Sequence, residues 1–492
     1  VTAPGERARE AGAGGRLYEA VAEDLARQIR DGVLAPGERL PSVRLLCRQR
    51  RISPATAVRA YALLEDRGLA EPRARSGYFV RATPGTTQAP PASTPPRRAT
   101  RLDVSELVFE VLEASRNRRV LPLGSAFPGP ELFPWAALAR QLGSSVRRMD
   151  PWDTVESLTP GHEELRRQIA RRYLEAGVDV ALEEIVITSG ALEALNLGLR
   201  AVTRPGDTVA IESPTFYGAL QAIEAAGLRA VEVATDPRDG IDLAALAAVL
   251  ESQPVRACWL MTTLQNPLGA TMSEDKKAAL VALLARHGTV LLEDDVYAEL
   301  QFGPETVRPA KAFDRRGNVL HCGSFAKCLA PGYRVGWIAA GRHATAVARA
   351  KITTSLATSV PMQLAIAQYL RHGGYDAHLR RLRGALQSQQ RAVLEAIARR
   401  FPPGCRVSRP SGGYFLWVDC GPGVDALEVH RRALDAGIGV APGPIFSARR
   451  AFGTCLRINT GHPWTPGLDR ALAELGTIVA ARPVAEPSAA PR

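Results

Sequence analysis

Residues 83–100, Thr-Pro-Gly-Thr-Thr-Gln-Ala-Pro-Pro-Ala-Ser-Thr-Pro-Pro-Arg-Arg-Ala-Thr, hold five prolines and no large apolar side chain. Proline fixes φ and lacks an N–H, so this stretch cannot join a helix interior or a central strand. With nothing to bury, it reads as an extended, semi-stiff connector. The chain must therefore fold as a small head, 16–82, and a large body, 101–480. A second low-complexity stretch, 481–492, is a Pro/Ala-rich tail with no predicted element. At 492 residues there is ample length for a large buried core in the body.

Several classes are excluded at once. The chain is 46% hydrophobic and 23% charged, with no apolar run near the ~18 residues of a membrane span. Val1 to Gly15 lacks the apolar core of a secretory leader, which points to the cytoplasm. Seven scattered cysteines without CxxC spacing argue for reduced thiols, not a disulfide framework or a metal site.

Charge is concentrated in the head. Residues 1–100 hold 17 arginines, no lysine and 10 acids, a balance of +7 within a total of +12. Such a local excess suits a polyanion. Leu17, Val21, Leu25 and Ile29 recur every four residues as one helix face. Ser42 can cap a second helix carrying Leu45 and Leu46. Ser53, with Pro54 in the first turn, opens a third helix through Val58, Tyr61 and Leu64. Two short alternating segments flank Arg75-Ser76-Gly77 and predict a β-wing. The order is that of a winged helix-turn-helix.

The body alternates β-branched runs, such as 185–188, 208–211, 257–261, 290–293, 319–322 and 335–338, with Ala/Leu-rich helical stretches. That pattern predicts an α/β fold with a mainly parallel sheet covered on both faces. Ligand sites of such sheets lie at the strand C-termini.

The head resembles the DNA-binding domain of GntR-type bacterial repressors through Gly32-Val-Leu-Ala-Pro-Gly-Glu-Arg-Leu-Pro-Ser-Val-Arg44, Ser53-Pro-Ala-Thr-Ala-Val-Arg-Ala-Tyr61 and Arg75-Ser-Gly-Tyr-Phe-Val80. A helix starting at Ser53 can present Ser53, Thr56 and Arg59 to the major groove of double-stranded DNA. Arg44 and Arg48 fall on the supporting helix near phosphates, and Arg75 with Gly77 at the wing tip suits close approach to the backbone.

The body resembles the fold-type I aminotransferases, which use pyridoxal 5′-phosphate (PLP). The signature is Ser324-Phe-Ala-Lys327-Cys-Leu-Ala-Pro-Gly-Tyr-Arg334-Val-Gly-Trp337. The resemblance makes Lys327, one of only five lysines, the catalytic Schiff-base residue, and gives Ser324 and Arg334 to the phosphate. Ser189-Gly190-Ala191 ends a strand and opens a helix, so its backbone N–H groups can also receive phosphate. Asp294 matches the carboxylate on the pyridine nitrogen, Tyr297 and Asn266 the groups on the ring hydroxyl, and Tyr217 the ring-stacking aromatic. Arg457 matches the arginine that grips a substrate carboxylate, pointing to an amino-acid ligand. The family's Tyr that reaches the partner's phosphate is missing from Val155-Glu-Ser-Leu-Thr-Pro160.

Together the halves resemble the MocR-type regulators of the GntR superfamily. The resemblance implies a head-to-tail homodimer, nucleoid-associated when on its operator, that senses an amino-acid or amine effector, or PLP itself, through Lys327. The alternative is a working aminotransferase that carries a DNA-binding head, since every cofactor residue is compatible with turnover.

Overall fold

The structure is a computed structural model that describes residues 6–30, 34, 38–66, 69–73, 77–80, 88–114, 119–303, 306–372 and 374–481. It divides into two units, Val1–Thr86 and Thr87–Arg492.

In the first unit, helices α1 (Glu6–Arg30), α2 (Val43–Arg50) and α3 (Pro54–Asp66) are followed by the antiparallel pair β1 (Ala70–Arg73) and β2 (Gly77–Val80). Ser42 caps α2, accepting the Leu45 N–H at 3.2 Å. Ser53 does the same for α3 through the Thr56 N–H at 3.1 Å. The core gathers Val21, Leu25, Leu46, Tyr61, Leu64 and Val80, with Tyr61 stacked on Tyr78 at 4.7 Å. Tyr61 also donates to the Pro41 carbonyl, and burial pushes its phenol up to about 12.

Three apolar expectations are corrected, Val58 of α3 at 47% exposed being one. Leu17 is 45% exposed and Leu45 38% exposed. Residues four apart advance ~400° on a helix of 3.6 residues per turn, so a run of such steps drifts off its face and Leu17 ends ~80° from Leu25. In α2 the adjacent Leu46 takes the core position, and two neighbours cannot share one face. α1 also begins at Glu6, well ahead of the face read from the sequence. Arg75 lies outside the described residues.

In the second unit, strands β3 (Ile185–Thr188), β4 (Thr208–Ser213), β5 (Arg229–Asp236), β6 (Gly240–Ile241), β7 (Ala257–Leu260), β8 (Val290–Asp294), β9 (Val319–Ser324) and β10 (Gly336–Ala339) form one sheet in the order β3-β10-β9-β8-β7-β4-β5-β6. β9, β8, β7, β4 and β5 are parallel neighbours. β10 runs antiparallel to both β9 and β3, and residues 325–335 join it to β9. Successive strand residues serve opposite faces: Ala257 and Trp259 pack with the helices 191–202 and 217–225, Cys258 and Leu260 with 243–252 and 274–287. The sequence pattern did not resolve a second, antiparallel sheet, β11 (Arg406–Val407), β12 (Phe415–Asp419), β13 (Ala441–Pro442) and β14 (Cys455–Asn459), in the order β11-β12-β14-β13. It packs on the helices Gly374–Arg400, Ala426–Asp435 and Pro466–Ala480.

The described part of the proline-rich segment, 88–100, is extended but is not a free connector. Thr100 exchanges backbone hydrogen bonds with Ala230 at 2.8 and 3.0 Å, and Ser93 pairs with Thr235. Arg449 reaches the Arg98 carbonyl at 2.7 Å. The segment thus satisfies backbone groups along β5, near the edge of the large sheet, where they would otherwise lack partners.

Replacing Ser42 by Ala removes the α2 cap and is expected to cost the head about 1 kcal/mol. The midpoint of its denaturant transition checks this.

Candidate cofactor cleft and DNA-binding face

Register gathers the cleft. Gly336, the first residue of β10, pairs with Thr188 on one side and Ser324 on the other, so the ends of β3 and β9 flank it. A Cβ on Gly336 would lie 2.7 Å from the Gly190 carbonyl carbon and 2.8 Å from the Ala191 nitrogen. Only glycine allows this approach. Gly190 has φ +98, and a Cβ there would meet the Arg334 guanidinium at 2.5 Å. The turn therefore brings Ser189, Gly190, Ala191, Ser324 and Arg334 together, with Arg334 Nη2 donating to the Ser189 carbonyl at 3.3 Å. Ala191 opens a 12-residue helix whose first N–H groups face an anion favourably. Glu193 accepts the Ser189 N–H at 2.5 Å and is held by Lys351 and Ser355. Burial pushes its carboxyl up, but those hydrogen bonds outweigh it and the pKa falls below the usual value. The Ser324 hydroxyl buttresses its own turn, donating to the Val335 carbonyl and accepting the Ala326 N–H.

Lys327 follows at the end of β9. Its Nζ donates to the Ala126 carbonyl at 2.8 Å and lies 3.7 Å from the Phe127 ring centroid and 6.0 Å from that of Tyr297. Burial, then the positive charges of Arg457 and Arg334, lower its pKa to about 7 against the pull of Asp294. A substantial fraction is thus neutral amine near pH 7, the form a nucleophile requires. Asp294, at the end of β8, is pushed up to about 7 by burial and by its neighbour Asp295. Its Oδ1 is buried and makes no hydrogen bond. Burial also raises the Tyr297 phenol.

Arg457, from β14, is fully buried. Its guanidinium lies 4.3 Å from the Phe415 ring centroid, and 6.0 Å from that of Tyr217, the first residue of helix 217–225. It donates to Asn266 Oδ1 at 3.0 Å and to the Gly124 carbonyl at 2.6 Å, while its Nε has no partner. Ser189, Tyr217, Asn266, Asp294, Tyr297, Lys327, Arg334 and Arg457 thus converge from β3, β8, β9, β14 and the loops that follow β4 and β7.

Sequence reasoning missed the strap 124–127. Its carbonyls serve the cleft: Gly124 for Arg457, Ala126 for Lys327 and the Tyr414 hydroxyl, Ser125 and Phe127 for Asn459. Backbone oxygens carry no residue signature, so a motif search cannot find them.

The residues fit PLP on three counts. Asp294 offers an orphaned carboxylate oxygen, Gly190 and Gly336 leave a Cβ-free cradle at a helix N-terminus, and Lys327 offers a depressed-pKa amine. Among the described residues no cluster of three or more His, Cys, Asp or Glu could hold a metal ion, and no helix is long and apolar enough to cross a membrane.

On the head, Arg44 and Arg48 of α2, and Ser53 and Arg59 at and within the start of α3, are exposed, with Thr56 half-buried. The Ser53 and Thr56 hydroxyls lie 2.9 Å apart and bond each other. Gly77 has φ +97, and a Cβ there would be 3.5 Å from the Arg39 guanidinium.

This is an aminotransferase-type PLP cleft in a chain that also carries a winged-helix head. Residues 154–475 match the family described as aminotransferase class I and II, and 17–80 match the bacterial regulatory proteins of the gntR family. The uncharacterized HTH-type transcriptional regulator YdcR of Escherichia coli is 46% identical over 468 residues, 95% of this chain and 100% of its own length. The probable rhizopine catabolism regulatory protein MocR of Rhizobium meliloti is 29% identical over 391 residues, 78% of this chain and 77% of that one. The structure of LysN, an alpha-aminoadipate aminotransferase from Thermus thermophilus complexed with N-(5′-phosphopyridoxyl)-L-leucine, superimposes with a TM-score of 0.70 at 29% identity, covering 76% of this chain and 94% of that one. The chain belongs to the MocR-type regulators, in which a GntR head is fused to a PLP-dependent aminotransferase domain.

Gly336→Ala pushes β10 against the Gly190–Ala191 peptide. PLP affinity is expected to fall at least tenfold while circular dichroism stays native, as read by absorbance titration.

Proposed function

We propose that this regulator reads DNA through α2, α3 and the wing, and senses an amino compound in the PLP cleft. The observation that carries the reading is the conjunction, in one chain, of an exposed arginine-bearing winged helix and a half-buried lysine held near neutrality beside a buried arginine. Bound PLP supplies an aldehyde carbon that exchanges one amine for another and a ring that withdraws electrons. Ser189, Gly190, Ala191, Ser324 and Arg334 would hold its phosphate, Asp294 its ring nitrogen, Asn266 and Tyr297 its ring hydroxyl, and Tyr217 one face of the ring. Lys327 contributes the neutral amine and takes up a proton when displaced. Arg457 receives the effector's carboxylate by exchanging its bonds to Asn266 and Gly124. Displacing Lys327 changes the charge of the cleft, and an effector biases DNA binding only to the extent that the two states differ in affinity for it.

The exposed side chains Trp152, Val155, Ile352 and Leu356 favour a homodimer. Thr159, just after the first pair, is hydrogen-bonded to the Leu356 carbonyl. Sedimentation velocity at micromolar protein would reveal it.

A second reading, turnover as an aminotransferase, is favoured by the completeness of the constellation around Lys327 and Asp294. It requires release of one keto acid per cleft when the PLP-loaded protein meets an amino acid.

Fluorescence anisotropy of PLP-loaded protein with its own upstream DNA, against scrambled DNA of equal length at physiological salt, separates the readings. A preference of ~10³ or more is expected of the regulator. Absence of binding would leave the enzyme. Arg44→Ala or Arg59→Ala should weaken binding and lower the salt slope by about one. Lys327→Ala should abolish the visible absorption of bound cofactor and leave the fold intact. In the wild-type apoprotein, capture of added PLP should accelerate up to about pH 7 and level off above it, because the amine of Lys327 is protonated below its pKa and neutral above. Stopped-flow absorbance across pH 5.5–9 checks the sign.

A further inference from the structure

Residues 55, 58, 59 and 62 of α3 follow the i, i+3, i+4, i+7 pattern and share one helix face. All four are exposed, while Ala57, Ala60, Tyr61 and Leu64 are buried on the opposite face. Three of the four exposed residues are apolar: Ala55, Val58 and Ala62, with Arg59 the one cation. Val58 is the large one, 47% exposed on a helix whose own core has no place for it. The hydroxyls that could read base edges by hydrogen bonding, Ser53 and Thr56, are 2.9 Å apart and bonded to each other, and Ser53 also caps the helix. Pro54 offers neither a side-chain donor nor a backbone N–H.

In the major groove one base presents an apolar group to such a face, thymine through its C5 methyl. We propose that Val58, flanked by Ala55 and Ala62, determines sequence specificity by packing on a thymine methyl in each half-site, while Arg59 supplies the polar anchor beside it. This rests on the reading of α3 as the recognition helix. It assigns the apolar residue, not the capping hydroxyls, to base selection.

The test uses the full-length PLP-loaded protein and duplexes that it enriches from a randomised library at physiological salt. Each thymine of the enriched half-site is replaced singly by deoxyuridine, which removes only the methyl group. At one or more positions per half-site affinity should fall about fourfold, the value of one buried methyl. Val58→Ala should bind the thymine duplex about as weakly as wild type binds the deoxyuridine duplex, and should lose nothing further on the deoxyuridine duplex. Val58→Thr, which keeps one methyl at the same place, should retain part of the discrimination. Enrichment of a site with no methyl-sensitive thymine, or methyl sensitivity that survives Val58→Ala, overturns this inference and leaves the DNA-binding reading standing. Failure to enrich any sequence overturns both.

Discussion

The cleft depends on a contact between two backbones. Gly336 lies against the Gly190–Ala191 peptide with no room for a Cβ. Because β10 is inserted between β3 and β9, that contact fixes how far the Ser189–Ala191 turn stands from the loop that carries Lys327. Arg334, two residues ahead of Gly336 and itself at φ +53, is delivered to the same turn. A single methyl group at either glycine would move the Ser189–Ala191 turn relative to the loop that carries Lys327.

Given that frame, burial supplies the chemistry. Lys327 and Asp294 both sit near pH 7, one depressed and one raised, for the same first reason: each is removed from water. Their mutual attraction opposes both shifts without cancelling them. Arg457 adds to the bias towards the neutral amine of Lys327.

Side-chain chemistry was legible in the sequence, and backbone chemistry was not. Ser42, Ser53 and the wing strands were readable because caps and alternation are written in residue types. Lys327 stood out because lysines are scarce in this chain, and Asp294, Asn266 and Arg457 because the motifs around them resemble those of the aminotransferases. The strap 124–127 acts through carbonyl oxygens that every residue has, so nothing in Gly-Ser-Ala-Phe announces it. Leu17 misled because a four-residue period only approximates the helix turn. The small antiparallel sheet escaped because two of its strands are two residues long, one ending in proline. Residues 88–100 were read as a free connector because prolines give no core signal. Their hydrogen bonds to β5 come from backbone groups and Ser93.

The strap also sets the terms on which any small molecule enters. Gly124 and Asn266 already occupy Arg457, and Ala126 occupies Lys327, so the cleft carries its own internal ligand. Entry is an exchange of hydrogen bonds, and the net affinity is the difference between two similar quantities.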